Sequence, residues 1–251
     1  MPPKDVSEET LSLKIVVFDL DETLGSFKEL GVFCDALNSF NLISTETEFV
    51  SMLNLFPEFF RPNIFDILHY IHSQKVKGNC YQVMIYTNNQ GPPEWVLRLS
   101  EYINLHLGHR VFDRIIAAFK VKGVPVELSR TTHKKTFDDL IRCTQLPEHT
   151  EICFVDDIMY PLMRNENVFY IRIKPYHYHL DFEYMVNRFV DNWSNERPSL
   201  PAHFKKTILD YMNRHVEIKV LPKRTPDDLQ MDIIISKKIM AYLHQFFKDV
   251  L

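Results

Sequence analysis

The sequence predicts an α/β protein built on a doubly wound parallel sheet, and three observations carry that expectation. Short, nearly continuous apolar runs recur along the chain, as in strands buried on both faces of a sheet. Stretches of helical periodicity separate them. Three of the runs stop abruptly at polar clusters. Parallel neighbours need crossover connections, so strands alternating with helices imply a parallel sheet, which binds ligands outside the carboxyl ends of its strands.

Residues 1–12 are polar, carry two prolines at the start, and read as a loose tail. The first strand is Leu13-Lys14-Ile15-Val16-Val17-Phe18, running straight into Asp19-Leu20-Asp21. Residues 25–60 carry Phe27, Leu30, Phe33, Leu37, Phe40 and Phe49 among polar residues without a sustained strand, and read as an insertion after it. Asn63 is the expected cap of a helix, with Asp66 three residues on and Ile64, Ile67, Leu68 and Ile71 on one face. A second strand, Tyr81 to Tyr86, ends at Thr87-Asn88-Asn89. A helix follows with Val96, Leu99, Ile103 and Leu107 in register, then a strand over Arg114 to Phe119 and a helix with Phe137, Leu140 and Ile141. Glu151 to Val155 ends at Asp156-Asp157, and Val168 to Ile173 completes the set of strands. A single α/β domain over residues 13–180 is expected. Residues 181–251 read as a helical extension, with Thr225-Pro226 as cap and first position ahead of Ile235, Ile239, Leu243 and Phe246.

The 251 residues are 45% hydrophobic and 25% charged, which excludes a disordered or collagen-like chain. No apolar run reaches the roughly 18 residues of a membrane span, and the start does not resemble a signal peptide. An intracellular protein, cytoplasmic or nuclear, with no membrane partner is the expectation. With 29 basic and 33 acidic residues the net charge is −4, so no global positive field gathers nucleic acid. Basic clusters at Lys120-Val121-Lys122, Lys205-Lys206, Lys219 to Arg224 and Lys237-Lys238 read as solvated faces. Cys34, Cys80, Cys143 and Cys153 form no C-x-x-C pair and read as free buried thiols. Six glycines make no phosphate-binding loop of a standard kind.

The strand-end clusters have a common chemistry. Two aspartates two apart, Asp19 and Asp21, allow one carboxylate to attack phosphorus while the second handles protons. A carboxylate approaching an anionic phosphoryl group needs a hard divalent cation, for which Asp156-Asp157 supplies oxygens. Thr87 and Asn88 can hydrogen-bond phosphoryl oxygens, and Lys134 or Lys135 can offset remaining charge. His133, His177 and His179 lack a zinc-site pattern and are left outside the site.

These residues carry a resemblance. Asp19-Leu20-Asp21-Glu22-Thr23-Leu24 resembles the first motif of the haloacid dehalogenase superfamily, in the form of its RNA polymerase II C-terminal-domain phosphatase (NLI-interacting-factor-like) group. Thr87-Asn88 then matches the second motif, Lys135 or Lys134 the third and Asp156-Asp157 the fourth, in order, over residues 13–175. Arg61-Pro62 before an apolar helix is similar to a segment that group places between its first two motifs. The resemblance implies Asp19 as nucleophile, Asp21 as general acid and base, Thr87, Asn88 and the lysine as phosphate binders, and a Mg²⁺ site from Asp19, the Asp21 carbonyl and the Asp156-Asp157 pair. Lys135, in Lys135-Thr136-Phe137-Asp138, is the favoured third-motif lysine; the motif does not choose between Asp156 and Asp157. Asn88-Asn89 depart from the small residues usual after the threonine in the protein-phosphatase members.

A Mg²⁺-dependent phosphatase acting through an aspartyl-phosphate is the function expected. An insertion of about 35 residues is short for a closing lid, so an open cleft and a macromolecular substrate, such as a phosphoserine or phosphothreonine protein, are expected. The alternatives are a polynucleotide 3′-phosphatase, with nucleic acid the less favoured partner, and a catalytically silent interaction module.

Overall fold

A computed structural model describes residues 13–193, 200–216 and 224–248; the expected tail at 1–12 and most of the basic run at 219–224 lie outside the described residues. In chain order the elements are β1 (Lys14–Phe18), α1 (Lys28–Asn38), α2 (Glu46–Asn54), α3 (Ile64–Val76), β2 (Gln82–Tyr86), α4 (Pro93–Leu107) and β3 (Arg114–Ile116). There follow a two-stranded hairpin of β4 (Lys120–Val121) and β5 (Val124–Pro125), then α5 (Phe137–Thr144), β6 (Glu151–Asp156), β7 (Val168–Arg172), α6 (Phe182–Asp191), α7 (Phe204–His215) and α8 (Pro226–Phe247).

The five expected strands form one sheet in the order β3-β2-β1-β6-β7, every neighbour parallel. Strand alternation explains the continuous apolar runs, because the sheet is covered on both sides. Val16, Phe18, Val83, Ile85, Cys153 and Val155 face a large core shared with α1, α2, α3, α4, α6, α7 and α8. Ile15, Val17, Met84, Tyr86, Ile152 and Phe154 face a smaller core closed by Phe137, Leu140 and Cys143 of α5. All four cysteines are free and buried, as expected. Among the described residues no helix is long and apolar enough to cross a membrane.

The expected insertion is helical and belongs to the larger core, where Phe33 meets Phe56 and Phe189 edge-on at 5.5 and 6.0 Å between ring centres. Helix α2 is set by a reciprocal cap: Thr45 Oγ1 accepts from the Glu48 amide at 3.2 Å, and the Glu48 carboxylate accepts from the Thr45 amide at 2.9 Å. The same device starts α8, where Thr225 Oγ1 accepts from the Asp228 amide and Asp228 accepts from the Thr225 amide. Asn63 stands at the N-cap position of α3 as expected, but its side chain makes no capping hydrogen bond. It sits in the left-handed region at φ 60°, and its amide donates to the Asp66 carboxylate at 3.2 Å instead of its oxygen accepting from the helix backbone. The hairpin of β4 and β5 was not expected; its strands are two residues long and leave no periodicity to read. The third strand is correspondingly shorter than the expected run to Phe119.

Connections leave β1 towards β2 and β3, then return to β6 and β7 on the other side. The strand order reverses between β1 and β6, and at such a reversal a crevice opens beyond the carboxyl ends of the strands.

Candidate active site

Register brings the two acidic motifs together. Phe18 pairs with Val155, and the Asp19 amide donates to the Val155 carbonyl at 2.9 Å, extending the ladder one step. By strand alternation Asp19 and Asp156 continue the rows that face α5. Lys135 stands one residue before Thr136, whose hydroxyl caps α5 by accepting from the Asp139 amide at 3.0 Å. Its ammonium donates to Asp19 Oδ1 and, at 2.7 Å, to Asp156 Oδ2, with the lysine 1% exposed. Lys134 is exposed, so only one of the two candidate lysines reaches the acids.

Asp19, Asp156 and Asp157 are all buried and offer carboxylate oxygens within 4.8 Å of one another. Three hard oxygen donors this close fit a Mg²⁺ ion, and the donor chemistry offers nothing to a soft metal. Asp156 Oδ1 accepts from the Ile158 amide at 2.8 Å, and Asp157 accepts from the Thr23 hydroxyl at 3.4 Å. Burial raises Asp156 above the usual carboxylate range, opposed by the Lys135 charge. Asp157 is raised by burial and by its acidic neighbours Asp19 and Glu22. Burial works against the Lys135 ammonium, but Asp19 and Asp156 together hold it above the ordinary lysine range.

Asp21 stands apart from the three-carboxylate group. Its Oδ2 accepts from Asn89 Nδ2 at 2.7 Å, while Oδ1 is buried with no hydrogen-bond partner among the described residues. Burial pushes this carboxyl up to about 7 despite the Asn89 hydrogen bond, and the Asp19 and Glu22 charges add to the rise. The turn carrying it is tight. Glu22 adopts φ 63°, its amide donates to the Gly25 carbonyl, and the Ser26 amide donates to the Phe59 carbonyl. A Cβ on Gly25 would lie 2.5 Å from that Phe59 oxygen, so only glycine fits.

On the other side of β1, the Thr87 amide donates to the Ile116 carbonyl at 3.0 Å, and Thr87 Oγ1 accepts from the Asn89 amide at 3.0 Å. Asn88 is held between Tyr160, whose hydroxyl accepts from its Nδ2 at 3.1 Å, and Arg130, whose Nη2 donates to its Oδ1 at 2.7 Å. A cleft of about 450 Å³ opens from Asp19, Asp21 and Asp157 outward between α1, through Lys28, Gly31 and Asp35, and the segment from Asn88 to Trp95.

Four further residues support the site: Arg61 and Asn89, which the sequence singled out without a task there, and Arg130 and Asp139, which it did not. Arg61, 1% exposed, donates to the Thr23, Glu22 and Lys174 carbonyls at 2.6, 2.7 and 3.0 Å. Arg130, 2% exposed, donates to the Thr87 and Ala117 carbonyls at 3.0 and 2.8 Å and joins that loop to His133 and Lys134. Asp139 accepts from the Thr131 amide and hydroxyl and so shapes the loop that delivers Lys135. Asn89 links Asp21 to the second strand-end loop. Arg61 stood beside a proline before a helix and Asn89 closed the polar cluster after the second strand, whereas Arg130 and Asp139 look like ordinary loop and helix residues.

No protein-family model, no curated protein and no solved structure matches the chain.

Proposed function

We propose that the chain is a Mg²⁺-dependent phosphomonoesterase of the haloacid dehalogenase type, working through an aspartyl-phosphate on Asp19. The observation that carries this reading is the buried Lys135 ammonium held between Asp19 and Asp156, at the point where the strand order reverses and Asp157 adds a third carboxylate. Mg²⁺ held by Asp19, Asp156 and Asp157 would screen these acids from the phosphoryl oxygens.

The residues then divide the work. Lys135 orients Asp19, so that a carboxylate oxygen can form a bond to phosphorus while the ester P–O bond breaks. Asp21, with one oxygen fixed by Asn89 and the other unpartnered, gives its proton to the leaving alkoxide. The same carboxylate next takes a proton from water, whose oxygen attacks phosphorus, releases inorganic phosphate and restores Asp19. Thr87 and Asn88, fixed by Asn89, Arg130 and Tyr160, would be the donors to phosphoryl oxygens.

The cleft favours a phosphoprotein over a polynucleotide. Besides Asp19 and Asp157 its lining holds Asp21, Glu22 and Asp35 against the single base Lys28, and an acidic wall repels a chain of phosphates. Its apolar side, with Phe27, Val32, Pro92 and Trp95, suits the side chains that flank a phosphorylated residue.

Phosphate release from an aryl phosphate, with and without Mg²⁺, compares the wild-type chain with Asp19→Asn. Turnover that needs the metal and is lost in the variant is expected. Folded wild-type protein that turns over neither this substrate nor a panel of phosphopeptides and 3′-phosphorylated oligonucleotides would leave the chain an interaction module.

A further inference from the structure

The helical extension reaches the candidate site through buried polar groups. On α8, Asp232 and Ser236 lie one turn apart and are 5% and 1% exposed. A buried carboxylate and a buried hydroxyl on one helix face need a reason, since isolated polar groups cost free energy when removed from water. The Ser236 hydroxyl donates to the Pro62 carbonyl at 2.5 Å, which ties α8 to the residue that follows Arg61. Asp232 accepts from the Arg224 guanidinium, which also donates to the His177 carbonyl at 2.5 Å.

Both arginines meet at one ring. The Arg61 and Arg224 guanidinium carbons lie 5.4 and 5.2 Å from the centre of the Tyr176 ring. Two cations converging on one aromatic ring repel each other unless an anion stands by. Asp232 is that anion, and it exerts the strongest charge acting on Arg61. Tyr176 itself belongs to the same assembly, because its amide donates to the Glu22 carbonyl at 2.8 Å. Glu22 and Thr23 form the turn that follows Asp21, and their carbonyls are the ones that Arg61 holds.

We infer that Asp232 and Ser236 of α8 are positioning residues for the proposed reaction: they place the Arg61 guanidinium, and Arg61 holds the Glu22–Thr23 turn from which Asp21 projects. This inference rests on the phosphatase reading for its effect on turnover, but not for its effect on the turn. The extension is then part of the catalytic apparatus, although it lies outside the four motifs.

The test uses the full chain and three variants. Asp232→Asn keeps the shape and removes the charge, Ser236→Ala removes one hydroxyl, and Leu243→Ala opens a cavity elsewhere in α8. Two quantities are read well below each variant's melting temperature: kcat and KM on an aryl phosphate with Mg²⁺, and amide hydrogen exchange at Glu22, Leu24 and Ser26. In Asp232→Asn, kcat is expected to fall about tenfold or more with KM changed less than about twofold, and exchange at the turn to quicken by a similar factor. Ser236→Ala, which loses one hydrogen bond and should fold in any event, is expected to move both in the same direction by about threefold. Leu243→Ala is expected to lower the melting temperature and leave both unchanged. Unchanged turn exchange in the two polar variants overturns the inference. Equal effects in Leu243→Ala also overturn it, since α8 would then act only through global stability. Absence of turnover in wild-type protein sinks the phosphatase reading alone, and the exchange comparison still decides the positioning role.

Discussion

The two loops that meet over the site are each clamped by a buried arginine, and they are clamped differently. Arg61 holds the loop after β1 by its Thr23 and Glu22 carbonyls and reaches across to Lys174, 113 residues away. Arg130 holds the loop after β2 through Thr87 and Asn88, and its other guanidinium hydrogen bonds go to the Ala117, His133 and Lys134 carbonyls, all within 43 residues. Burial lowers Arg61 to about 10, and its strongest opposing influence is Asp232 on α8. The arginine clamp on the loop after β2 is therefore drawn from β2, β3 and the segment leading into α5. The clamp on the turn after Asp21 also draws on the last helix, through the Ser236–Pro62 hydrogen bond and the Tyr176 ring that Arg61 shares with Arg224.

Removing what both clamps serve has the largest expected effect. Lys135→Met leaves Asp19 and Asp156 buried without their cation and should cost about 3–5 kcal/mol in urea unfolding. Added Mg²⁺ should raise the melting temperature of that variant more than that of the wild type, because the ion replaces the missing charge. Arg61→Met leaves the Thr23 and Lys174 carbonyls without their donor, the Glu22 carbonyl keeping the Tyr176 amide, and should cost about 3 kcal/mol. Hydrogen exchange should then quicken at residues 22–26 and 174–178. Arg130→Met should cost a similar amount but quicken exchange at 87–90 and 131–135 only; the reverse pattern would break the comparison.

Asn89→Ala sharpens it. Asn89 alone ties Asp21 to the second loop by a direct side-chain hydrogen bond among the described residues, at 2.7 Å, and its loss should cost about 1–2 kcal/mol. The non-additivity of Arg61→Met and Arg130→Met, on the order of 0.5–3 kcal/mol for coupled sites, should fall towards zero in that background. The smallest effect is a baseline away from both clamps. Thr45→Ala should cost about 1 kcal/mol and leave both loops unchanged. The hydrogen bonds from Thr45 and Ser44 hold the Glu48 carboxyl below the usual range. Its stabilisation is therefore present above the ordinary glutamate value and lost as the pH falls through the lowered one. Unfolding of the Thr45→Ala variant measured across that acid range should show a weaker dependence on pH.

Much of the frame was legible because strands and helices announce themselves locally. Ile15, Val17, Met84 and Phe154 alternate with residues of the opposite face, and both faces are apolar because both are covered. The polar clusters at Asp19, Thr87 and Asp156 stood out because each interrupts such a run. Asn63 marked the start of α3 correctly but does not cap it with its side chain, because a residue type that caps helices also tolerates the left-handed region, which it adopts here. In the insertion at residues 25–60 a helical signal was present in the sequence, since Leu30, Phe33 and Leu37 stand three and four residues apart and lie on the buried face of α1.

The sequence by itself determined which residues end the strands, and so which carboxylates, threonine and lysines a site could contain. Tertiary structure decided which of them act together. It buried Lys135 and exposed Lys134, although the two are neighbours of identical chemistry, because only one can turn inward ahead of the Thr136 cap. It also gave Arg61, Arg130, Asp139, Asp232 and Ser236 their tasks. The physical reason is that periodicity is a property of neighbouring residues, whereas a buried polar group must find its partner wherever the fold presents one. For the Ser236 hydroxyl that partner is the Pro62 carbonyl, 174 residues earlier.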